Sequence, residues 1–92
     1  MTVLAVRNVR KSLNKKGFVE EDDRDHLFFV FFHDGRMLAK TKISHSATDI
    51  DDTLISLMSH QMHIKKDEFC DFVRCTLSKD GYLELLQQNK WI

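Results

Sequence analysis

His26-Leu27-Phe28-Phe29-Val30-Phe31-Phe32-His33-Asp34-Gly35-Arg36-Met37-Leu38-Ala39-Lys40-Thr41-Lys42-Ile43 is the stretch that decides the fold. Residues 27–32 are an unbroken apolar run, rich in aromatic side chains and bounded by polar residues, which predicts a strand over 26–32. Asp34-Gly35 is a dipeptide that tolerates positive φ at both central positions of a two-residue hairpin, so a second strand over 37–43 should fold back on the first. At a period of two, Leu27, Phe29 and Phe31 face one way and Phe28, Val30 and Phe32 the other. Both faces of this strand are therefore apolar, and either the C-terminal helices or another subunit should cover the second one. In the following strand Met37, Ala39, Thr41 and Ile43 share one face, while Leu38, Lys40 and Lys42 share the other. Two lysines two residues apart make a compact cationic stripe.

Upstream, the acidic run Glu20-Glu21-Asp22-Asp23 and Arg24-Asp25 form a polar turn, preceded by a short strand over 18–21. Before it, Val6, Val9 and Leu13 fall on one face of a helix over Val3 to Lys16, and Arg7, Lys11 and Lys15 recur every fourth residue on another. Gly17, after two lysines, ends that helix. Downstream, Ser44 to Thr48 is a polar loop, and Thr48 with Asp51 is a capping arrangement for a helix whose buried stripe is Ile50, Leu54, Leu57, Met58 and Met62. A further helix over Lys66 to Cys75 buries Phe69, Phe72 and Val73. Ser78 caps a last one carrying Tyr82, Leu85 and Leu86, and the chain ends at Trp91-Ile92. The order is helix, three antiparallel strands, then helices, an α+β arrangement.

Ninety-two residues suffice for one hydrophobic core, and 42% apolar content with seven Phe and no Pro describes one folded domain. No stretch approaches the ~20 apolar residues that span a bilayer, and the N-terminus carries charge too early for a signal peptide, so the expected compartment is the cytoplasm and no membrane partner is expected. Cys70 and Cys75, five residues apart, fall about 140° apart on one helix and cannot bridge each other there. Cys70 and Cys75 lack the short spacing of structural zinc sites and sit among core apolar residues, so no metal is assigned to them with His60 and His63. No glycine-rich phosphate loop or nucleophile elbow is present. The net charge of zero hides a division: residues 1–46 carry nine Lys/Arg against six Asp/Glu, and residues 47–92 carry five against eight. The first half should thus present a basic surface.

Within that half, His26 opens the central strand just after a charged turn. An imidazole there can move a proton near neutral pH, for instance from a ribose 2′-hydroxyl that then attacks the adjacent phosphate, with Lys40, Lys42 and the first helix as counter-charges. The alternative is a strand-edge histidine bonded to its own turn. His45, in Thr41-Lys42-Ile43-Ser44-His45-Ser46, belongs to a cluster suited to phosphate oxygens or to an ordinary polar loop. Arg7, Lys11 and Lys15 are phosphate contacts or simply a solvated helix face.

Leu13-Asn14-Lys15-Lys16-Gly17-Phe18, the strand-opening His26, the Asp34-Gly35 hairpin, His45, and Thr53-Leu54-Ile55 through Ile64-Lys65-Lys66-Asp67-Glu68-Phe69 together resemble the HicA toxins of bacterial and archaeal toxin–antitoxin systems. The likeness covers roughly residues 6–72, with residues 1–64 as the HicA-like core and 65–92 as a C-terminal helical extension. It implies a double-stranded-RNA-binding-domain-like helix-strand-strand-strand-helix fold. It further implies an RNA-binding mRNA interferase that works as a metal-independent ribonuclease without a cofactor, and a HicB-like antitoxin as protein partner. His26 takes the position of the catalytic histidine, with Arg24-Asp25 where the family commonly has a small pair, and Lys40, Lys42, His45, Arg7, Lys11 and Lys15 become the RNA-binding set. A homodimer through the sheet face or the C-terminal helices is a further expectation. The alternative is a non-catalytic nucleic-acid- or protein-binding module of the same fold. A DNA-reading helix-turn-helix over Leu54 to Val73 is disfavoured by Asp67, Glu68 and Asp71, which would repel a phosphate backbone.

Overall fold

In the computed structural model, which describes residues 3–74 and 77–91, the hairpin predicted from 26–43 is the centre of a three-stranded antiparallel sheet ordered β2 (Phe18–Asp22), β3 (His26–His33), β4 (Arg36–Ser44). Asp34 and Gly35 both take positive φ, 53° and 76°, as the tight turn requires. Leu27, Phe29 and Phe31 enter the core, and their cross-strand partners Ile43, Thr41 and Ala39 are buried on the same side.

The strict alternation expected in β4 does not hold at its start. Phe31 pairs with Ala39 but Phe32 pairs with Met37, so Leu38 is an extra residue in a β-bulge. The bulge reverses the facing of everything before it: Leu38 is buried and Met37 is 58% exposed on the outer face. The Nε2 of His63, itself at φ 65°, lies 2.9 Å from the Leu38 carbonyl, and the His63 ring stacks on Trp91 at 3.6 Å between centroids.

Helix α1 spans Val6–Lys15, shorter than expected at its start, because Leu4–Ala5 form a strand, β1, that pairs antiparallel with β5 (Asp49–Ile50). That pairing buries Leu4 against Ile50, and the Val6 N–H donates to the Thr48 carbonyl at 3.0 Å. Gly17 follows the helix at φ 99°, where its hydrogen faces the Lys79 side chain. Asp51, not Thr48, caps α2 (Asp52–Gln61), accepting from the Leu54 N–H at 2.9 Å. The buried stripe of α2 also differs from expectation: Ile55 and Met58 are inside, whereas Leu57 is exposed. Helix α3 spans Lys66–Val73 with Phe69, Cys70, Phe72 and Val73 buried, and α4 spans Lys79–Gln88 behind a Ser78 cap. Cys75, expected on α3, lies outside the described residues, as does Ile92.

The four helices among the described residues contribute to one core with the inner face of the sheet. Phe18, Phe31, Phe72 and Tyr82 form an aromatic cluster joining β2, β3, α3 and α4 with centroid separations of 5.0–6.0 Å. The C-terminal helices therefore complete the same core that α1 starts, and they leave the second face of the sheet uncovered among the described residues. The junction is tied by polar groups at the end of α1. The Ser12 hydroxyl donates to the Val73 carbonyl at 2.7 Å, and the buried Lys16 ammonium donates to the carbonyls of Phe72 and Leu77 while lying 4.5 Å from the centre of the Phe72 ring. A cation on the last carbonyls of α3 suits the negative end of its dipole.

Candidate nucleic-acid interface

The face that the helices leave open is set by the strand period. Outward from β3 point His26, Phe28, Val30 and Phe32, and their direct partners on β4 are Ser44, Lys42, Lys40 and, past the bulge, Met37. On β2 the outward residues are Val19, opposite Val30, and Glu21, opposite Phe28. Val19 and Phe32 are each 48% exposed, an unusual amount of apolar surface for adjacent strands of a small domain. Val30, in the middle, is 3% exposed.

The electrostatics of this face are one-sided. Lys40 and Lys42 are exposed on β4 and form no salt bridge with a described residue. The Lys40 ammonium rests 4.7 Å from the centre of the Phe28 ring, a cation–π contact. Glu21 places a carboxylate on the β2 side. His26 stands at one end of the aromatic row, its ring 6.1 Å from that of Phe28 and partly buried, with no hydrogen bond from its ring to any described residue.

His45 is held differently. Its Nε2 lies 2.8 Å from a carboxylate oxygen of Asp22 and 2.7 Å from the Asp23 carbonyl, so it carries the proton and donates to both. The ring clamps the loop after β4 onto the β2–β3 turn, among carboxylates rather than beside the lysines. The other predicted cations lie elsewhere. Arg7, Lys11 and Lys15 are exposed on α1, in the helical layer on the far side of the sheet. Arg7 and Lys11 border a groove with Ala47, Thr48 and Asp49, and Lys15 borders another with Val73 and Arg74.

Of the nine cations in the first half of the chain, two are structural. Lys16 is buried, and Arg10 forms a fork with Glu20, Nε to Oε1 at 2.5 Å and Nη2 to Oε2 at 2.7 Å. The hydrogen bond from Arg10 holds the Glu20 carboxyl below its ordinary range, and the same contact raises Arg10. His60 is exposed on α2, His63 serves the bulge, and Cys70 is buried in the core.

The structure thus brings His26, Lys40 and Lys42 to one face and leaves Arg7, Lys11, Lys15 and His45 off it. Phe28 and Phe32 stand in the sequence as a face for helices or another subunit to cover, and neither they nor Met37 belong to the nucleic-acid-binding set that the sequence suggests. The signal for the two phenylalanines was the second apolar face of β3, but Met37 could not be placed without the bulge. No family model, curated protein or solved structure matches the chain. Among the described residues no helix is long and apolar enough to cross a membrane.

Proposed function

We propose that the protein binds RNA on the outer face of its sheet and cleaves it there without a metal, with His26 as general base and then general acid. The observation that carries this is the meeting of His26, Lys40 and Lys42 on one solvent-open face. RNA brings its own nucleophile. The His26 imidazole takes the proton of a 2′-hydroxyl, whose oxygen bonds to the adjacent phosphorus; the bond from phosphorus to the 5′ oxygen breaks, and the imidazolium returns the proton to that oxygen. The lysines offset the charge that gathers on the phosphoryl oxygens. The resemblance to HicA toxins supports the same assignment and an antitoxin protein as the natural cover of this face.

The test is to incubate the protein with mixed RNA in excess chelator beside His26→Ala, both checked for folding by circular dichroism. The wild type should cleave and the variant should lose about 100-fold or more. Equal cleavage by the two proteins overturns the role of His26. A non-catalytic binding module is favoured by one observation, that no described side chain orients the His26 ring as catalytic bases usually require. Intact RNA in both samples, with binding that weakens steeply with salt, is its signature.

A further inference from the structure

We propose that the open sheet face is selective for single-stranded RNA, stacking unpaired bases on Phe28 and Phe32 while the phosphates follow Lys40 and Lys42. This rests on the RNA binding proposed above and specifies which form of RNA the face takes.

A duplex hides the faces of its bases, and A-form RNA is met mainly through phosphates and 2′-hydroxyls across its shallow groove. A surface built for it needs cations where phosphates fall. Here the middle of the face is aromatic, and the cations stand on one side only, so a duplex laid on it would set phosphates against Phe28 and Phe32. A single strand fits the same arrangement, since every unpaired base has a face to stack and sequence matters little. Lys42 is the direct cross-strand partner of Phe28, and Lys40 that of Val30. Cβ atoms of such pairs lie about 5 Å apart, so a base on β3 and its phosphate on β4 are within reach of one nucleotide. Glu21, on the opposite strand, repels the backbone from the β2 side and so gives the bound strand one path.

The spacing adds a constraint. Phe28 and Phe32 are four residues apart on one strand, ~13 Å at ~3.3 Å per residue. Neighbouring bases in a stacked helix rise by only ~3.4 Å, so the two rings hold bases that are not adjacent, in a strand drawn out of its helical form. Lys40 already sits on the Phe28 ring and can exchange that ring for a phosphate as the base arrives. A second copy of the chain is a poorer occupant: two such faces packed about a twofold axis would put four lysines against two Glu21 carboxylates in one interface.

Binding is measured by fluorescence anisotropy with a labelled 2′-O-methyl oligouridylate, which cannot be cleaved by 2′-hydroxyl attack, and with a 2′-O-methyl hairpin of equal length at the same salt. The single strand should bind more tightly than the hairpin. Phe32→Ala, at an exposed position, should weaken it about tenfold, and Phe32→Trp should bind at least as well as wild type. A hairpin that binds as tightly as the single strand, with no effect of Phe32→Ala, overturns the single-strand inference while leaving RNA binding intact. Binding of neither probe overturns both. A dimer in sedimentation that Phe32→Ala dissociates, again with neither probe bound, assigns the face to a second copy and likewise overturns the inference.

Discussion

Tyr82 is the only tyrosine in the chain, fully buried, and its hydroxyl donates to the Met62 carbonyl at 2.9 Å. It sits at the centre of the aromatic cluster, and burial pushes its ionisation above the ordinary value near 10. The folded state therefore keeps a proton that the unfolded chain gives up. The stability this represents is whole below pH about 10 and is lost as pH rises above it, by up to about 1.4 kcal/mol per pH unit. Urea midpoints followed upward from neutral pH should fall along this alkaline limb, and Tyr82→Phe should flatten it. The same substitution should cost about 1 to 2 kcal/mol at neutral pH, since the Met62 carbonyl loses its donor. At this scale the sequence was only partly legible. Tyr82 reads as a core residue from its helical spacing, but nothing in the spacing tells that its hydroxyl would find a carbonyl on the turn after α2. In the sequence Lys16 is marked only as one of two cations before Gly17. Its burial follows from a contact with residues 56 and 61 positions away, which no local pattern encodes.

The β3–β4 hairpin was legible as an element because a local code specifies it: a run that cannot stay in water, then a dipeptide that takes positive φ twice. Gly35 sits at φ 76° with open space where a side chain would go, so strain in the backbone is the whole penalty of adding one. Gly35→Ala should destabilise the protein by about 1 to 2 kcal/mol, whereas Asp34→Asn, which keeps the turn chemistry, should stay within about 0.5 kcal/mol. Chemical denaturation of both variants checks this, and a neutral Gly35→Ala would show that the turn does not set the register. The bulge at Leu38 was not legible. Met37 and Leu38 are both apolar, so slipping the pattern by one residue exchanges one hydrophobe for another and leaves no mark in the alternation. The β1–β5 pair leaves no mark for a similar reason: two residues are too few to show a period.

For the molecule as a whole, helix, sheet and helices were legible in order, because each element carries its own periodicity, but not which side of the sheet the last two helices would take. That choice is made by Phe72 and Tyr82 packing on Phe18 and Phe31, a meeting of distant segments. It decides the site: with α3 and α4 inside, the outer face stays open, and the bulge at Leu38 brings Lys40 and Lys42 onto it beside His26 and the phenylalanines. It also separates them from the cations of α1, whose layer no charge count can reveal. A chain ending at residue 64 should accordingly fail to fold, because it leaves Leu13, Phe18 and Phe31 without cover. Its circular dichroism should show no cooperative thermal transition, and a sharp transition would mean that the C-terminal helices are dispensable to the core.

Trp91, the sole tryptophan, lies against His63, whose ring nitrogen meets the Leu38 carbonyl at the bulge, and the bulge turns Met37 onto the outer face. The chain thus carries its own optical probe, wired through one imidazole to the strand that borders the proposed binding surface. Indole emission is sensitive to the ring stacked on it, so occupation of that surface should shift the Trp91 emission of the unlabelled protein, and a titration that leaves it unchanged would show that the bulge does not carry the signal.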